Sequence, residues 1–190
     1  QPFYKSINVI DNNPLYGGGQ ILSPSSPMNQ MSARVITLGG SLLFSNDYRF
    51  TAEYGRRLND DVHTGTDASG VYALLSKRIA QWEPYLYYAR MWSEDSEVRQ
   101  WRAIHAATPP VTPLPSMNQA LAAQYQNAAS GLSVYDQHTI ALGTSYSLSP
   151  TERLKGEVAY TRIRERSSLT DYDAANTDLL VYSLSYNIAF

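Results

Sequence analysis

The chain contains no cysteine, so disulfide bridges and thiolate metal sites are excluded. With three histidines in all, a zinc site would have to rely on scattered side chains. Although 43% of the residues are hydrophobic, there is no run of about 18 or more apolar residues, and we expect no transmembrane helix. A net charge of −2 and a pI near 5.9 argue against nucleic acid as a partner. We expect neither a cofactor nor an enzymatic activity.

Tyrosine is abundant, with 15 residues against 4 Phe and 3 Trp. Its apolar ring and polar tip suit a boundary between membrane and water. The helical period is nearly absent from the chain, whereas a two-residue period is easy to find, and this predicts β-strands. Most of the predicted strands have about ten residues or more, a length that suits a tilted strand crossing a bilayer. The eight predicted strands are 3–10, 33–45, 48–57, 70–79, 84–93, 138–148, 153–164 and 179–190.

Short and long connections alternate between these strands. Such alternation is typical of outer-membrane barrels, which have short periplasmic turns and long outer loops. The longest connection, 94–137, contains four prolines and an Ala/Gln-rich stretch that predicts a short helix over 117–129. The short connections are 46–47, 80–83 and 149–152, and the long ones follow Asp11, Arg57, Ser93 and Arg164.

Alternation gives each strand an apolar and a polar face. In the last strand, Leu180, Leu184 and Ile188 share one face, whereas Ser183 and Ser185 lie on the other. An apolar face of this kind meets either a protein core or lipid. Charges in mid-strand on the opposite face are what a polar lumen requires. In the fourth and fifth strands we place Val71, Ala73, Leu75, Tyr85, Tyr87 and Met91 outward and Arg78 and Arg90 inward.

These patterns together predict an all-β protein, a transmembrane antiparallel up-and-down β-barrel of the bacterial outer membrane. About eight strands belong to this chain, in a single barrel domain spanning 1–190 or the C-terminal portion of one. The partners expected on its outside are membrane lipid and lipopolysaccharide. The candidate pore-lining residues are Arg49, Glu53, Arg57, Arg78, Arg90, Lys155 and Glu157.

Two sets of motifs carry a resemblance to a known family. The terminus YSLSYNIAF resembles the C-terminal signal of outer-membrane barrels, which implies that Tyr186, Ile188 and Phe190 are read by the barrel-assembly machinery. The segments ARVITLGGSLLFSNDYRFTAEYGRR, GVYALLSKRIAQWEPYLYYARM and HTIALGTSYSLSPTERLKGEVAYTRI resemble the C-terminal half of proteobacterial porin-like proteins. The resemblance covers most of 33–190. It implies a channel for passive diffusion of small hydrophilic solutes in a Gram-negative outer membrane, with a homo-oligomer such as a trimer as one possible assembly.

The chain differs from that family in its number of strands, because general porins have about sixteen and about eight are predicted here. Lys5 and Asn8 also interrupt any apolar face in the first predicted strand. We therefore expect the C-terminal half of a larger barrel. The alternative is a closed eight-stranded structural or adhesive barrel that acts through its extracellular loops. In a wide channel the inward charges would create a transverse field, whereas in a narrow barrel they would pair and fill the interior.

The long connection 94–137 and the other outer loops allow further hypotheses. The long connection could enter the pore, with Trp101, Arg102 and His105 as solute contacts, or it could form an outer cap or a mobile surface loop. Loop carboxylates could bind Ca²⁺, although a solvated rim explains them better. A protease built on Asp60, Asp61 and His63 is disfavoured, because outer-membrane proteases with Asp/His pairs have ten strands and take the pairs from different strands. A lipid hydrolase built on His138 is disfavoured, because Ser145 and Ser147 are predicted to face inward. The loop carboxylates are Asp60, Asp61, Asp67, Glu94, Asp95, Glu97, Asp171 and Asp173.

Overall fold

The computed structural model describes residues 3–4, 7–12, 14, 17–24, 27–28, 32–59, 67–130, 132–164, 167–168 and 176–189. It is mostly antiparallel β, with two short helices in the described part of the chain. The chain divides into two compact units. We call 1–35, 57–68 and 93–135 the helical unit, and 36–56, 69–92 and 136–190 the sheet unit.

A seven-stranded sheet is built from strands that follow one another in the chain. Each of its strands pairs with the strands before and after it in the sequence, so the order in the sheet is the order in the chain. Among the described residues the sheet is open, because its first strand, Ala33–Leu43, and its last strand, Thr177–Ile188, form its two edges. The strands are β5 (Ala33–Leu43), β6 (Tyr48–Asn59), β7 (Ala68–Lys77), β8 (Trp82–Ser93), β9 (Asp136–Ser147), β10 (Glu152–Ile163) and β11 (Thr177–Ile188). For this labelling, β1 is Phe3–Tyr4, β2 Ile7–Asp11, β3 Gln20–Pro24 and β4 Pro27–Met28.

Three tight turns join consecutive strands at one end of the sheet, as predicted. Asn46 and Asp47 have φ of 63° and 61°, the left-handed conformation that a short hairpin connection requires and that Asn and Asp tolerate. At the β7–β8 turn, Ile79 and Trp82 exchange both backbone hydrogen bonds, at 2.8 and 2.9 Å. The β9–β10 turn is closed by a 3.0 Å bond from Leu148 N to Glu152 O.

The two faces of the sheet differ in chemistry, because side chains alternate along each strand. Leu38, Leu142 and Leu184 on one face are 76%, 65% and 77% exposed, so the residues that the structure describes leave these side chains uncovered. Register confirms the predicted alternation in the last strands, since Leu142, Val158 and Tyr182 form one row across β9, β10 and β11. The other face carries serines, threonines and charged side chains.

The helical unit has a hydrophobic core of its own. Helix α1 (Asp95–Ala106) contributes Trp101 and Ile104, which are 2% and 1% exposed and pack with Ala129, Leu132 and Val134. Helix α2 (Pro115–Ser130) begins with proline, whose fixed φ and missing N–H suit the first helical position. Ile7, Val9 and Leu22 from the β2–β3 hairpin pack against this cluster.

Two features of the helical unit differ from the sequence prediction. The segment 3–10 does not form a strand of the large sheet: β1 pairs with β4, and β2 pairs with β3. The connection 94–137 contains α1 as well as the predicted helix, because Val98, Trp101 and Ile104 recur at helical spacing and are buried together. No helix in the part of the chain that the structure describes is long and apolar enough to cross a membrane.

Candidate functional site

The polar face of the sheet unit places charged, hydroxyl and aromatic side chains on adjacent strands. Antiparallel register aligns them in rows that run across β8, β9, β10 and β11. Side chains in the same row on neighbouring strands lie close enough to interact. One row contains Glu83, Ser145, Lys155 and Ser185, and the next contains Tyr85, Gly143, Glu157 and Ser183.

Three side chains form a linked group at the centre of these rows. The Tyr85 hydroxyl donates a hydrogen bond to Oε2 of Glu157, and Lys155 Nζ lies 3.1 Å from the same oxygen. Lys155 Nζ also lies 5.0 Å from the centroid of the Tyr85 ring, within cation–π range. The Glu157 side chain is 15% exposed and the Lys155 side chain 42%, so the ammonium group still reaches solvent.

Gly143 makes this arrangement possible. A Cβ atom built on Gly143 would overlap the Tyr85 hydroxyl and ring. The absence of a side chain on β9 therefore lets the Tyr85 ring cross that strand and reach Glu157 on β10. A glycine inside a strand commonly marks such a close approach.

Next to this group, the polar face forms an open depression of about 380 Å³. Arg49 from β6 and Lys155 from β10 line the same depression, so the polar face curves around it. Glu83 and Arg153 add charges of both signs, with Arg153 Nη1 4.0 Å from Glu83 Oε2. Opposite charges around a concave surface can order and select small polar solutes.

Several of the predicted pore-lining residues lie on this polar face. Arg49 and Lys155 line the depression, and Glu157 belongs to the linked group. Glu53 is on the same face, because a Cβ built on Gly39 would lie 3.0 Å from Glu53 Cγ. Arg57 continues the same alternation along β6 and belongs to the helical unit.

Arg78 and Arg90 lie in predicted strands whose alternation is less regular, and their predicted placements have different outcomes. Arg78 lines a second depression, of about 900 Å³, at the short-turn end of the sheet, together with Arg153 and Asn187. Arg90 was predicted to point inward, and this is wrong. Its register partners are His138 and, one strand further, Arg162, which share the face of Leu142 and Val158.

The outward placement of Tyr85, Tyr87 and Met91 is also wrong. Tyr85 aligns with Gly143, and the other two follow the same alternation along β8. Tyr85 is therefore a site residue that the sequence interpretation missed. The signal for it was Gly143 on the neighbouring strand, where a missing side chain indicates that another group comes close.

Two of the three residues predicted as an assembly signal are described. Tyr186 and Ile188 are exposed on the apolar face of β11, 53% and 54% respectively, and the Tyr186 hydroxyl donates a 2.7 Å hydrogen bond to Glu152 Oε1. The third, Phe190, lies outside the described residues.

The residues proposed as solute contacts in the long connection have separate environments. Trp101 is buried in the core of the helical unit, so its role as a direct solute contact is wrong. His105 Nδ1 lies 3.0 Å from the Trp101 carbonyl oxygen, and Arg102 is exposed.

The calcium and enzyme hypotheses rest partly on residues outside the described ones, namely Asp60, Asp61, His63, Asp171 and Asp173. Within the described ranges, no three His, Asp or Glu side chains are placed to hold a metal ion. Asp67 instead accepts hydrogen bonds from the Asn59 backbone and side chain at 2.7 and 3.4 Å. Ser145 lies on the face opposite His138, as the register requires, and this removes one partner from a lipid hydrolase.

No protein-family model, curated protein or solved structure matches the chain.

Proposed function

We propose that the sheet unit is part of a transmembrane antiparallel β-barrel in the outer membrane of a Gram-negative bacterium. Its polar face lines a channel through which small hydrophilic solutes diffuse passively. The observation that carries this proposal is the contrast between the two faces. One face leaves rows of Leu, Ile and Tyr uncovered, whereas the other holds ion-paired charges around a concave surface.

The dimensions of the strands support a membrane location. Strands β8 to β11 each have 12 residues, which at about 3.3 Å per residue and a tilt of about 40° span roughly 30 Å, the thickness of the hydrocarbon layer. Two rows of aromatic side chains lie six positions apart along the strands, or about 15 Å along the membrane normal at that tilt, and aromatic residues gather towards the interfaces of such barrels. One row contains Trp82, Tyr146 and Tyr186, and the other contains Tyr88 and Tyr160.

The open edges of the sheet support a larger assembly. Backbone groups in lipid need hydrogen-bond partners, so β5 and β11 cannot remain unpaired edges in a membrane. Further strands that join these edges would produce a barrel of about sixteen strands, wide enough for an aqueous channel. The exposed carbonyl and amide groups of β11 are the edge where the assembly machinery would act, and Tyr186, Ile188 and Phe190 remain its proposed signal.

A closed barrel that is filled by its own side chains is the second candidate. Tyr85 favours it, because its ring occupies space on the polar face above Gly143. Such a barrel would act as a structural or adhesive protein through its outer loops. Conductance separates the two candidates, since a barrel of about eight strands is just filled by side chains.

Single-channel recording tests the channel directly. The natural assembly, inserted into a planar bilayer under a salt gradient, should conduct, and Lys155→Gln should shift its reversal potential toward cation preference. Glu157→Gln should shift it in the opposite direction. Because the Lys155 side chain is 42% exposed, Lys155→Gln should lower the free energy of unfolding by no more than about 1 kcal/mol.

Lys77→Gln is the matched control. Lys77 Nζ lies 4.6 Å from the centroid of the Tyr48 ring, on the apolar face, and neutralising it should leave the reversal potential unchanged. An assembly that inserts without conducting, and that loses about 3–5 kcal/mol on Lys155→Gln, would favour the filled barrel instead.

A further inference from the structure

A cluster of basic side chains interrupts the apolar face of the sheet at one end. Register aligns Arg90, His138 and Arg162 in one row across β8, β9 and β10, and this row continues to Asp178 on β11. Arg164 lies beside them, where its backbone N–H donates a 2.9 Å bond to Asp136 O. These groups do not line the proposed channel, because they lie on the face opposite Lys155 and Glu157.

The cluster has a defined depth in the proposed membrane topology. It is at the end of the sheet where the long connections leave β8 and β10, and long connections are the outer loops of such barrels. The row lies two residues, or about 7 Å along the strand, beyond the aromatic row of Tyr88 and Tyr160. Arg90 lies about 20 Å along the membrane normal from Trp82 at the short-turn end, near the outer edge of an apolar band that is about 25 Å tall in such barrels. Its long side chain can therefore extend to the headgroups of the outer leaflet.

The charges of the cluster favour an anion. The cluster has three arginines, Arg90, Arg162 and Arg164, against two carboxylates. One carboxylate, Asp136, lines the same concave surface of the sheet unit as the arginines, and the other, Asp178, borders it as the register partner of Arg162. That surface forms an open depression of about 760 Å³, wide enough for a phosphorylated sugar to lie in it. The contact between Arg162 Nε and Asp178 Oδ1 is 3.8 Å long and joins side chains that are 46% and 50% exposed, so it is weak and leaves the guanidinium accessible.

The neighbouring row favours an amphiphile over a free ion. Tyr88, Ile140, Tyr160 and Leu180 are 40%, 47%, 36% and 54% exposed, directly next to the basic row. An amphiphile can place its anionic head on the guanidinium groups and its acyl chains along these side chains. Arg pairs with phosphate through two parallel hydrogen bonds, which gives geometric specificity as well as attraction.

We propose that Arg90, His138, Arg162 and Arg164 bind the phosphate group of an outer-leaflet glycolipid such as lipid A, whose acyl chains lie along the adjacent apolar row. This inference rests on the membrane topology of the proposed function. It adds a lipid site on the outside of the sheet to a channel on its inside.

Lipid binding to the natural assembly in phosphatidylcholine nanodiscs tests the site. The probes are bisphosphorylated lipid A and the same lipid A with both phosphates removed, and retained lipid is counted by native mass spectrometry. We expect wild-type protein to prefer the phosphorylated lipid by about tenfold, as charge-assisted contacts with phosphate predict. The double variant Arg90→Gln/Arg162→Gln should bind both probes equally.

Lys77→Gln is the control variant, because Lys77 is a cation on the same face at the short-turn end, in the opposite leaflet. It should keep the preference of the wild-type protein. Equal binding of the two probes by wild-type protein would overturn the proposal, and this comparison needs no variant to fold. An unchanged preference in the double variant would overturn it as well.

Two further binding measurements identify the source of the phosphate. A parallel conductance measurement distinguishes failure of the lipid site from failure of the channel. Displacement of lipid A by inorganic pyrophosphate at equal concentration would point to a free-anion site, and equal retention of phosphatidylglycerol would point to unspecific attraction of anionic lipid. Either result rejects the glycolipid. Conductance of the same samples is measured in parallel, so loss of the lipid preference with conductance intact rejects the lipid site alone.

Discussion

The hydroxyl of Tyr85 lies 2.5 Å from Oε2 of Glu157, although the two residues are on strands that are not neighbours. The bond passes over β9 at Gly143, which pairs with both residues in the register. Three strands are therefore linked on the polar face by one side-chain contact in addition to their backbone hydrogen bonds. This relationship makes Gly143 the position where the site is most sensitive to a small change.

Gly143→Ala should destabilise the sheet unit. The added methyl group would collide with the Tyr85 ring, and overpacking of this kind costs about 1–3 kcal/mol. The loss should be visible as a lower denaturant midpoint, followed by tryptophan fluorescence or by heat-modifiable migration on a gel.

Two comparisons isolate the cause. Gly156→Ala, on the neighbouring strand, meets nothing within 4 Å and should be neutral or slightly stabilising, because alanine loses less backbone entropy than glycine on folding. Gly143→Ala in a Tyr85→Ala background should cost less than in the wild-type protein, and the remaining cost comes from the Gly156 carbonyl oxygen, 2.8 Å from the new Cβ. Equal costs in the two backgrounds would show that the Tyr85 ring does not cause the effect.

Leu184→Arg should block insertion into membranes. Leu184 is 77% exposed on the apolar face. In the proposed barrel it lies near the bilayer midplane, where an arginine costs roughly 2–4 kcal/mol. In a protein surrounded by water the same exposed substitution would be nearly neutral. The fraction of folded protein recovered in lipid vesicles is the measurement that separates these environments.

The adjacent residue on the same strand provides the matched control for Leu184. Ser183 pairs with Glu157 on the polar face, so Ser183→Arg adds the same charge next to a carboxylate. It should insert as well as the wild-type protein. If both arginine variants insert equally, the apolar face does not contact lipid.

Trp101→Ala should unfold the helical unit selectively. Trp101 is 2% exposed at the centre of the cluster formed with Ile104 and Val134, and truncation of a buried tryptophan costs about 3–5 kcal/mol. Limited proteolysis should then cut within α1 and α2 at much lower protease concentrations. Leu114→Ala, in the same connection but 57% exposed, should leave the digestion pattern unchanged.

The sequence was sufficient to predict most of the large sheet. Strands β9, β10 and β11 alternate regularly between aliphatic and small polar residues, so both their positions and their faces could be predicted. The turn at Asn46 and Asp47 was recognisable because these residues tolerate positive φ. Strands of this kind are specified locally by alternation and turn chemistry.

The errors arose where local patterns are ambiguous. Strand β8 has tyrosines at 85, 87 and 88, on both faces, and tyrosine suits a polar lumen as well as an interface, so alternation alone could not assign Arg90. The neighbouring Gly143 decided the orientation of Tyr85 through a contact between strands. Likewise, the segment 3–10 pairs within the helical unit because of partners in 20–28 that no local pattern revealed.

The backbone N–H of Ser93 donates a 2.8 Å bond to the Tyr135 carbonyl, and the Ser93 hydroxyl accepts a 3.1 Å bond from Tyr135 N–H. The connection between β8 and β9 is therefore held together at its two ends. A flexible segment as long as 94–135 would make pairing of β8 with β9 about 2 kcal/mol less favourable in chain entropy than a four-residue turn does. Formation of α1 and α2 before this pairing would lower that entropic cost, because it would shorten the effective loop. In that order of events, the helical unit would make the pairing of β8 with β9 effectively local, and local pairings form faster than distant ones.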